Sequence, residues 1–145
     1  MKLKVAWIGK TKSSAIRDLT DEYLTRLGHY CDCEGVELAG EAALLKLVTG
    51  AKPTPTLVLL DARGRQLTSE ELAEMLEVHQ VRGTQALLFA VGPADGFTAQ
   101  ARHAANLVLS LGKMTLAHEL ARIVLLEQLY RAFTILRHHP YHTGH

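Results

Sequence analysis

The feature that most constrains the fold of this chain is a repeated alternation of short apolar segments with segments of helical periodicity. The apolar segments predict strands at residues 2–8, 31–38, 56–60, 86–91 and 106–109. The helical spacing predicts helices at residues 13–28, 41–48, 68 to about 78, 98–105 and 118 to about 137. This order is typical of an α/β fold in which helices cover a mostly parallel sheet. Because 145 residues suffice for one core and are few for two, we expect a single domain over residues 1–145.

Glycine turns follow three of the predicted strands and indicate where a ligand binds. Residues 61–64 are predicted to form a turn that ends with Gly64 after the third strand, whereas Gly92 and Gly96 follow the fourth strand and Gly112 follows the fifth. The carboxyl ends of parallel strands meet at one edge of a sheet, and open α/β sheets bind ligands there. A pocket lined by backbone rather than by charged side chains suits an adenine and a ribose better than a polyphosphate.

Two common nucleotide motifs are absent. Gly9-Lys10-Thr11 resembles the end of a phosphate-binding loop but lacks the glycine that should precede it by five residues. The turn after the first predicted strand contains no G-x-G-x-x-G fingerprint of a dinucleotide-binding fold. The glycine turns therefore indicate a different kind of cofactor site.

The last predicted helix is apolar around most of its circumference. One stripe contains Ile123, Leu126, Tyr130 and Phe133, and a neighbouring stripe contains Leu125, Leu129, Ala132 and Leu136. Such a helix should be buried on more than one side. We expect one side to pack on the sheet and Leu125, Leu129 and Phe133 to lie in the interface of a homodimer. Glu127 and Arg131 stand at the i, i+4 spacing of a helical ion pair.

Composition narrows the possible partners. Hydrophobic residues make up 48%, charged residues 21%, and the net charge is +1, so a nucleic acid must be met by a local basic patch. Six cations are candidates for phosphate contacts: Lys10, Lys12, Lys113, Arg122, Arg131 and Arg137. No apolar run approaches the roughly 20 residues that span a bilayer, and no secretory signal is visible, so we expect a cytoplasmic protein without a membrane partner.

The cysteines and histidines give little support for a metal. Cys31 and Cys33 match neither a redox pair nor a complete zinc set, so buried reduced thiols are expected. Four histidines stand at the C-terminus, namely His138, His139, His142 and His145. No cysteine or carboxylate joins them locally, and we expect no metal.

Several motifs in order identify a family resemblance over essentially the whole chain. These motifs are residues 59–64, 89–92 with Gly96, 109–116 with His118, 127–132 and 140–142. With these segments in this order, the sequence closely resembles the RlmH family of SPOUT-class methyltransferases. Three positions depart from the family's usual pattern: Pro93 replaces a second glycine, Ala117 a proline before the histidine, and Thr143 a basic residue after Tyr141-His142.

The resemblance implies a fold, a reaction and a set of site residues. The fold is a single α/β domain with a C-terminal trefoil knot, and the protein works as a homodimer. The reaction transfers a methyl group from S-adenosylmethionine to N3 of a pseudouridine in 23S ribosomal RNA. The residues implied to bind the cofactor are Leu60, Gly92, Leu111, Gly112, Lys113, Met114, Thr115 and Leu116. His142 is the candidate base for the N3 proton, and Tyr141 is expected to place or stack on the target base.

Two alternatives stay open at this stage. The chain could be a methyltransferase of the same class that modifies another RNA base or a ribose 2′-OH. It could also be a non-catalytic RNA- or ribosome-binding protein that kept the fold. Cofactor binding separates the second alternative from the enzymes, and the identity of the methylated atom separates the two enzymes.

Overall fold

The computed structural model describes residues 1–141, which contain alternating strands and helices. The strands are β1 (Lys2–Ile8), β2 (Asp32–Leu38), β3 (Thr56–Gln66), β4 (Ala86–Val91) and β5 (Leu107–Ser110). The helices are α1 (Ser14–Leu27), α2 (Glu41–Thr49), α3 (Ser69–Arg82), α4 (Ala99–Ala104) and α5 (His118–Leu136).

The five strands form one sheet in the order β2-β1-β4-β3-β5, and every pairing is parallel. This confirms the expected parallel sheet covered by helices. The central strand β4 is buried along nearly its whole length because it has neighbours on both sides and helices on both faces. The C-terminal trefoil knot stays a prediction.

The two faces of the sheet bury different helices because successive strand residues point to opposite sides. On one face Val5, Val58 and Phe89 pack in a core with residues of α1, α3 and α5. On the other face Ala6, Leu59 and Ala90 pack with residues of α2 and α4. The larger core is the one under α5, and it holds the apolar side of the longest helix.

Strand β3 is longer than predicted and includes residues that were expected to form a turn. Residues 61–64 were predicted to form a turn, but β3 continues to Gln66, with a register shift between Leu60 and Arg65 along β5. The segment can pass close to β5 because Gly64 has no side chain. A Cβ on Gly64 would lie 2.5 Å from the carbonyl oxygen of Val108.

Helix α3 begins as predicted and ends later. Thr68 caps it, and Glu71 completes a capping box by returning a side-chain bond to the Thr68 amide. The helix was predicted to end near Val78 but runs to Arg82, where Gly83 takes a left-handed conformation with φ of 81°.

Helix α5 corrects one expectation about the dimer. Leu125, Leu129 and Phe133 are fully buried within the chain itself, where α5 packs on the sheet between α1 and α3. They therefore cannot be the residues that need a second copy. The exposed apolar residues of this helix are Leu120 and Val124. Among residues 1–141, no helix is long and apolar enough to cross a membrane.

Candidate functional site

A cavity of about 270 Å³ lies where the middle of β3 and the carboxyl ends of β4 and β5 meet the first turns of α5. It is formed by residues 60–63 of β3 and by the segments that follow β4 and β5, with Leu60 and Val91 at its strand side and His118 and Ala121 at its helix side. This is the sheet edge at which the glycine turns predicted a ligand. Its volume is close to the ~300 Å³ at which small-molecule pockets begin.

Glycines let the backbone itself form the wall of this cavity. A Cβ on Gly92 would lie 2.8 Å from the ring of Phe97, so only glycine fits between the cavity and that buried ring. Gly96 and Gly112 have positive φ angles of 83° and 143°, which side chains disfavour. The Ser110 hydroxyl accepts from the Gly112 amide and donates to the Gly112 carbonyl, which holds the turn after β5 in place.

Seven of the eight predicted cofactor residues line this one cavity. They are Leu60, Gly92, Leu111, Gly112, Met114, Thr115 and Leu116. Lys113 does not line it and is exposed. The structure therefore brings seven of the predicted residues together but leaves the single cation among them off the cavity wall.

The cavity is also lined by ionisable side chains to which the sequence assigned no role, namely Asp61, Arg63, Asp95 and His118. Asp61, Arg63 and His118 belong to segments that carry the family resemblance, and this membership was the only available signal. The expected turn at residues 61–64 placed Asp61 correctly near the sheet edge but gave no reason to direct its side chain inward.

Asp61 is the most enclosed carboxylate of this group. Its side chain is 8% exposed, and its Oδ1 accepts from the Arg63 amide at 2.9 Å. Its Oδ2 lies 3.9 Å from Nη1 of Arg102, which donates at 2.7 Å to the carbonyl of Phe97. Arg102 is therefore shared with a backbone acceptor and only loosely paired with Asp61. A negative charge remains at the cavity wall.

Tyr141, a predicted catalytic residue, lies at the opposite end of α5 from the cavity. Its ring contacts Tyr130 edge-on, with 4.8 Å between centroids, and the Arg131 guanidinium lies 5.2 Å from its centroid. Burial, reinforced by the Glu127 carboxylate, raises the pKa of Tyr141 to about 12. The phenol is thus neutral near pH 7 and can donate a hydrogen bond or stack, but cannot accept a proton as a phenolate. His142, the other predicted catalytic residue, lies outside the described residues.

Two of the six cations suggested for phosphate contacts form hydrogen bonds or an ion pair within the part of the chain that the structure describes. Arg131 and Glu127 form the predicted i, i+4 ion pair at 2.7 Å, with both side chains less than one-fifth exposed. Arg122 is buried, with 2% of its surface exposed, so its predicted contact with a phosphate is wrong. Lys10, Lys12, Lys113 and Arg137 are exposed.

The cysteines and carboxylates of residues 1–141 do not assemble a metal site. No group of three or more histidine, cysteine, aspartate or glutamate side chains in this range is close enough to hold an ion. Cys31 and Cys33 are free thiols, as expected, but they are only half-buried, so the expectation that they are buried was wrong. The hydrogen bond with the Cys31 sulfur, together with burial, raises the pKa of Cys33, which keeps its thiol protonated.

Comparison with known proteins gives one consistent result. A family profile described as "Predicted SPOUT methyltransferase" matches residues 1–142. The protein named ribosomal RNA large subunit methyltransferase H from Koribacter versatilis is 58% identical over the whole length of both chains. The protein of the same name from Geotalea daltonii is 42% identical over 98% of this chain and 99% of that one.

A solved structure supports the same fold at much lower sequence similarity. The structure of a probable methylase family protein from Haemophilus influenzae superimposes with a TM-score of 0.61 at 12% identity. The match covers 96% of this chain and 69% of the other.

Proposed function

Since this chain belongs to the RlmH family of SPOUT methyltransferases, we propose that it methylates N3 of a pseudouridine in 23S ribosomal RNA with S-adenosylmethionine as the donor. The family makes it a methyltransferase, and the names of the relatives supply the class of substrate. The finer choice of atom and nucleotide follows the family resemblance carried by residues 59–64, 109–116 and 140–142.

The observation that carries this proposal is the meeting of residues 60–63 of β3 with the turns after β4 and β5 around one cavity. The cofactor would be held by the turn residues Leu60, Gly92 and residues 111, 112 and 114–116, which present mainly backbone groups and apolar side chains. These suit an adenine and a ribose. We expect no requirement for a metal. When bound, S-adenosylmethionine supplies a methyl group on a sulfonium that is already electrophilic.

The charge on the cavity wall agrees with a cationic ligand. Asp61 and Asp95 contribute two carboxylates to the lining, against one guanidinium from Arg63. A sulfonium cofactor carries one more positive charge than its demethylated product. We propose that Asp61, enclosed and only loosely paired with Arg102, favours the methylated form on electrostatic grounds.

The protein's part in the chemistry is positioning and the removal of one proton. Holding N3 in line with the donor supplies much of the rate, because it replaces an encounter by a fixed geometry. We propose that the imidazole of His142 accepts the N3 proton, which a general base can accelerate by ~10²–10⁴-fold. Tyr141 is neutral at its raised pKa and would stack on the base or donate a hydrogen bond to it.

A second copy would explain how the tail reaches a cavity. Ala121 lines the cavity and Tyr130 contacts Tyr141, so the two sites lie about 14 Å apart along the helix at 1.5 Å per residue. We propose a homodimer in which the tail of one protomer completes the cavity of its partner. The exposed Leu120 and Val124, on the turns that border the cavity, are the candidate contact surface.

The proposed reaction is tested by mass spectrometry of ribosomal RNA. Ribosomes from a strain that lacks this gene would be incubated with the purified protein and labelled S-adenosylmethionine. We expect one new methyl group on N3 of a pseudouridine. A methyl group on a ribose 2′-OH or on another RNA would support the alternative enzyme. Absence of cofactor binding by calorimetry at millimolar concentration would support the non-catalytic alternative.

The proposed dimer is tested by light scattering and by mixing variants. Leu120→Asp should reduce the dimer fraction at micromolar concentration, whereas Val81→Asp, at an 83% exposed site on α3, should not. For the shared site, a protomer with His142→Ala is mixed with one that carries Gly92→Leu. Recovery of activity in the mixture supports a site shared between protomers. If each variant is inactive alone and the mixture is inactive too, the shared site is contradicted.

A further inference from the structure

The loop between β1 and α1, residues 9–13, has its amides held by carboxylates from distant parts of the chain. The amides of Lys12 and Ser13 donate to Oε1 of Glu119 on α5, at 2.9 and 3.3 Å. The amide of Thr11 donates to Oε1 of Glu37 on β2, at 3.3 Å. Two carboxylates thereby fix three successive amides. In the same loop, Lys10 and Lys12 are exposed.

A buried arginine lies beneath this loop. Arg122 is 2% exposed, and its guanidinium lies 4.2 Å from the ring centroid of Trp7. Its Nη1 donates to the hydroxyl of Thr11 at 2.9 Å and to that of Thr20 at 3.3 Å. Within residues 1–141 it forms no ion pair, and its Nε has no hydrogen-bond partner.

Such a residue is expensive for a small domain to keep. Burial without an ion pair removes hydration that two hydroxyl groups and an indole face restore only in part. The guanidinium nevertheless keeps its proton, since arginine does not lose it in proteins. Its positive charge therefore lies beside Thr11, the residue between the two exposed lysines, and acts against the carboxylates of Glu37 and Glu119 that border the loop.

The first two turns of α5 join the loop to the cavity. Glu119 and Arg122 of these turns contact the loop, and His118 and Ala121 of the same turns line the cavity. The helix thus connects the cofactor turn at residues 111–117 to the lysine loop by a rigid element.

We propose that residues 9–13 are a backbone-binding loop for the RNA substrate, with Lys10 and Lys12 contacting phosphates of a single strand. Glu119 and Arg122 are positioning residues that fix this loop relative to the cavity. The inference rests on the proposed function, because it assigns the surface by which that function takes its substrate. It predicts an affinity that is independent of base sequence and dependent on salt.

The first test measures how binding of poly(U) by the whole protein changes with potassium chloride. Each phosphate contact to a single strand contributes a slope of about +0.7 to log Kd against log salt, because salt weakens binding. Lys10→Gln with Lys12→Gln should flatten the slope by about 1.4, as two contacts require. The matched control is Lys46→Gln with Lys52→Gln, which removes the same charge from exposed sites in α2 and the loop that follows it.

The outcome of this test separates the two proposals. A wild-type slope in the Lys10 and Lys12 variant, or an equal change in the control, overturns the loop assignment. The measurement needs no methyl transfer, so it stays readable if the proposed reaction fails. Conversely, if the protein methylates ribosomal RNA while substitution of Lys10 and Lys12 leaves the salt dependence of binding unchanged, that result supports the proposed function and contradicts the assignment of the loop.

The second test asks whether Arg122 acts through the loop. Thr11→Val removes its acceptor on the loop, and Thr20→Val removes its acceptor on α1. We expect Thr11→Val to raise the KM for RNA severalfold with unchanged kcat and cofactor Kd, and Thr11→Ser to restore it. Thr20→Val should lower the denaturation midpoint and leave the KM for RNA unchanged. Equal effects of the two valine variants on KM would mean that Arg122 serves only stability.

Discussion

The two ends of α5 differ in what surrounds them. Its first turns border a cavity whose shape depends on glycines, whereas its second half packs in a cluster of tyrosine rings. The cavity owes its shape to Gly92, Gly96 and Gly112, where a side chain would clash or strain the chain. The far end is held by rings: Tyr130 lies within 6.2 Å, between centroids, of Tyr23, Tyr30 and Tyr141. Substitutions that add a side chain should therefore destabilise the first region most, and substitutions that remove a ring should destabilise the second.

The largest effect on stability is expected from removing the ring of Tyr130, which contacts three other rings of the cluster. Tyr130→Ala should lower the free energy of unfolding by about 2 to 4 kcal/mol, because a partly buried ring in contact with three others is removed. Tyr130→Phe, which keeps the ring, should cost less than about 1 kcal/mol. Urea denaturation of both variants measures this. Equal losses would mean that the hydroxyl, not the ring, holds this end.

The matching change at the backbone-built end adds an atom. Gly64→Ala places a Cβ 2.5 Å from the carbonyl oxygen of Val108, so β3 and β5 must separate. We expect a loss of about 1 to 3 kcal/mol, the usual cost of overpacking. Gly40→Ala is the control, since nothing lies within 4 Å of its Cβ and its φ of −174° suits any residue. If both variants unfold at the same urea concentration, the close approach is not what Gly64 provides.

A smaller effect concerns the pH dependence of the ring cluster. The folded-state pKa of Tyr141 is raised from 10.0 to about 12, so folding favours the neutral phenol. Its contribution to stability is complete below pH 10 and is lost as the pH rises toward 12. Absorbance titration of the phenolate in the wild type minus Tyr141→Phe should show a single step near the upper value. A step near 10 would show that the tail does not rest on Tyr130.

The smallest effect is local to the lysine loop. The amides of Ser13 and Lys12 lower the pKa of the Glu119 carboxyl below 4.5. Protection of those amides from hydrogen exchange should be present above that ordinary value and lost as the pH falls through the lower, folded-state value. Glu119→Gln keeps an acceptor oxygen and should remove the pH dependence. Protection that persists in the wild type under strongly acidic conditions would contradict the assignment.

The sequence predicted those parts of the fold whose signal is local. The bounds of β1 and β4 agree with the predicted segments, because alternation and apolar runs depend only on neighbouring residues. The second half of β3 was missed because residues 61–66 are polar and include a glycine. Their strand conformation comes from pairing with β5, and no local pattern contains that information.

The candidate site divides in the same way. The family resemblance supplied eight cofactor residues, and seven of them line the cavity at the sheet edge where the glycine turns predicted a ligand. The absence of Lys113 from the lining and the presence of Asp61 in it depend on backbone geometry that the sequence does not display. The dimer argument failed at Leu125, Leu129 and Phe133 for a related reason. An apolar circumference shows how much of a helix is buried, but α1 and α3, not a second copy, supply its neighbours.

The place of Trp7 under Arg122 gives the molecule two optical signals that need no label. Trp7 is the single tryptophan of the chain, and it lies beneath the lysine loop. The four tyrosines, Tyr23, Tyr30, Tyr130 and Tyr141, all belong to the ring cluster at the other end of α5. Tryptophan emission therefore reports events at the loop, and tyrosine emission reports movement of the tail. The two signals therefore allow the proposed binding of RNA at the loop and a change in the surroundings of Tyr141 to be measured separately in one sample.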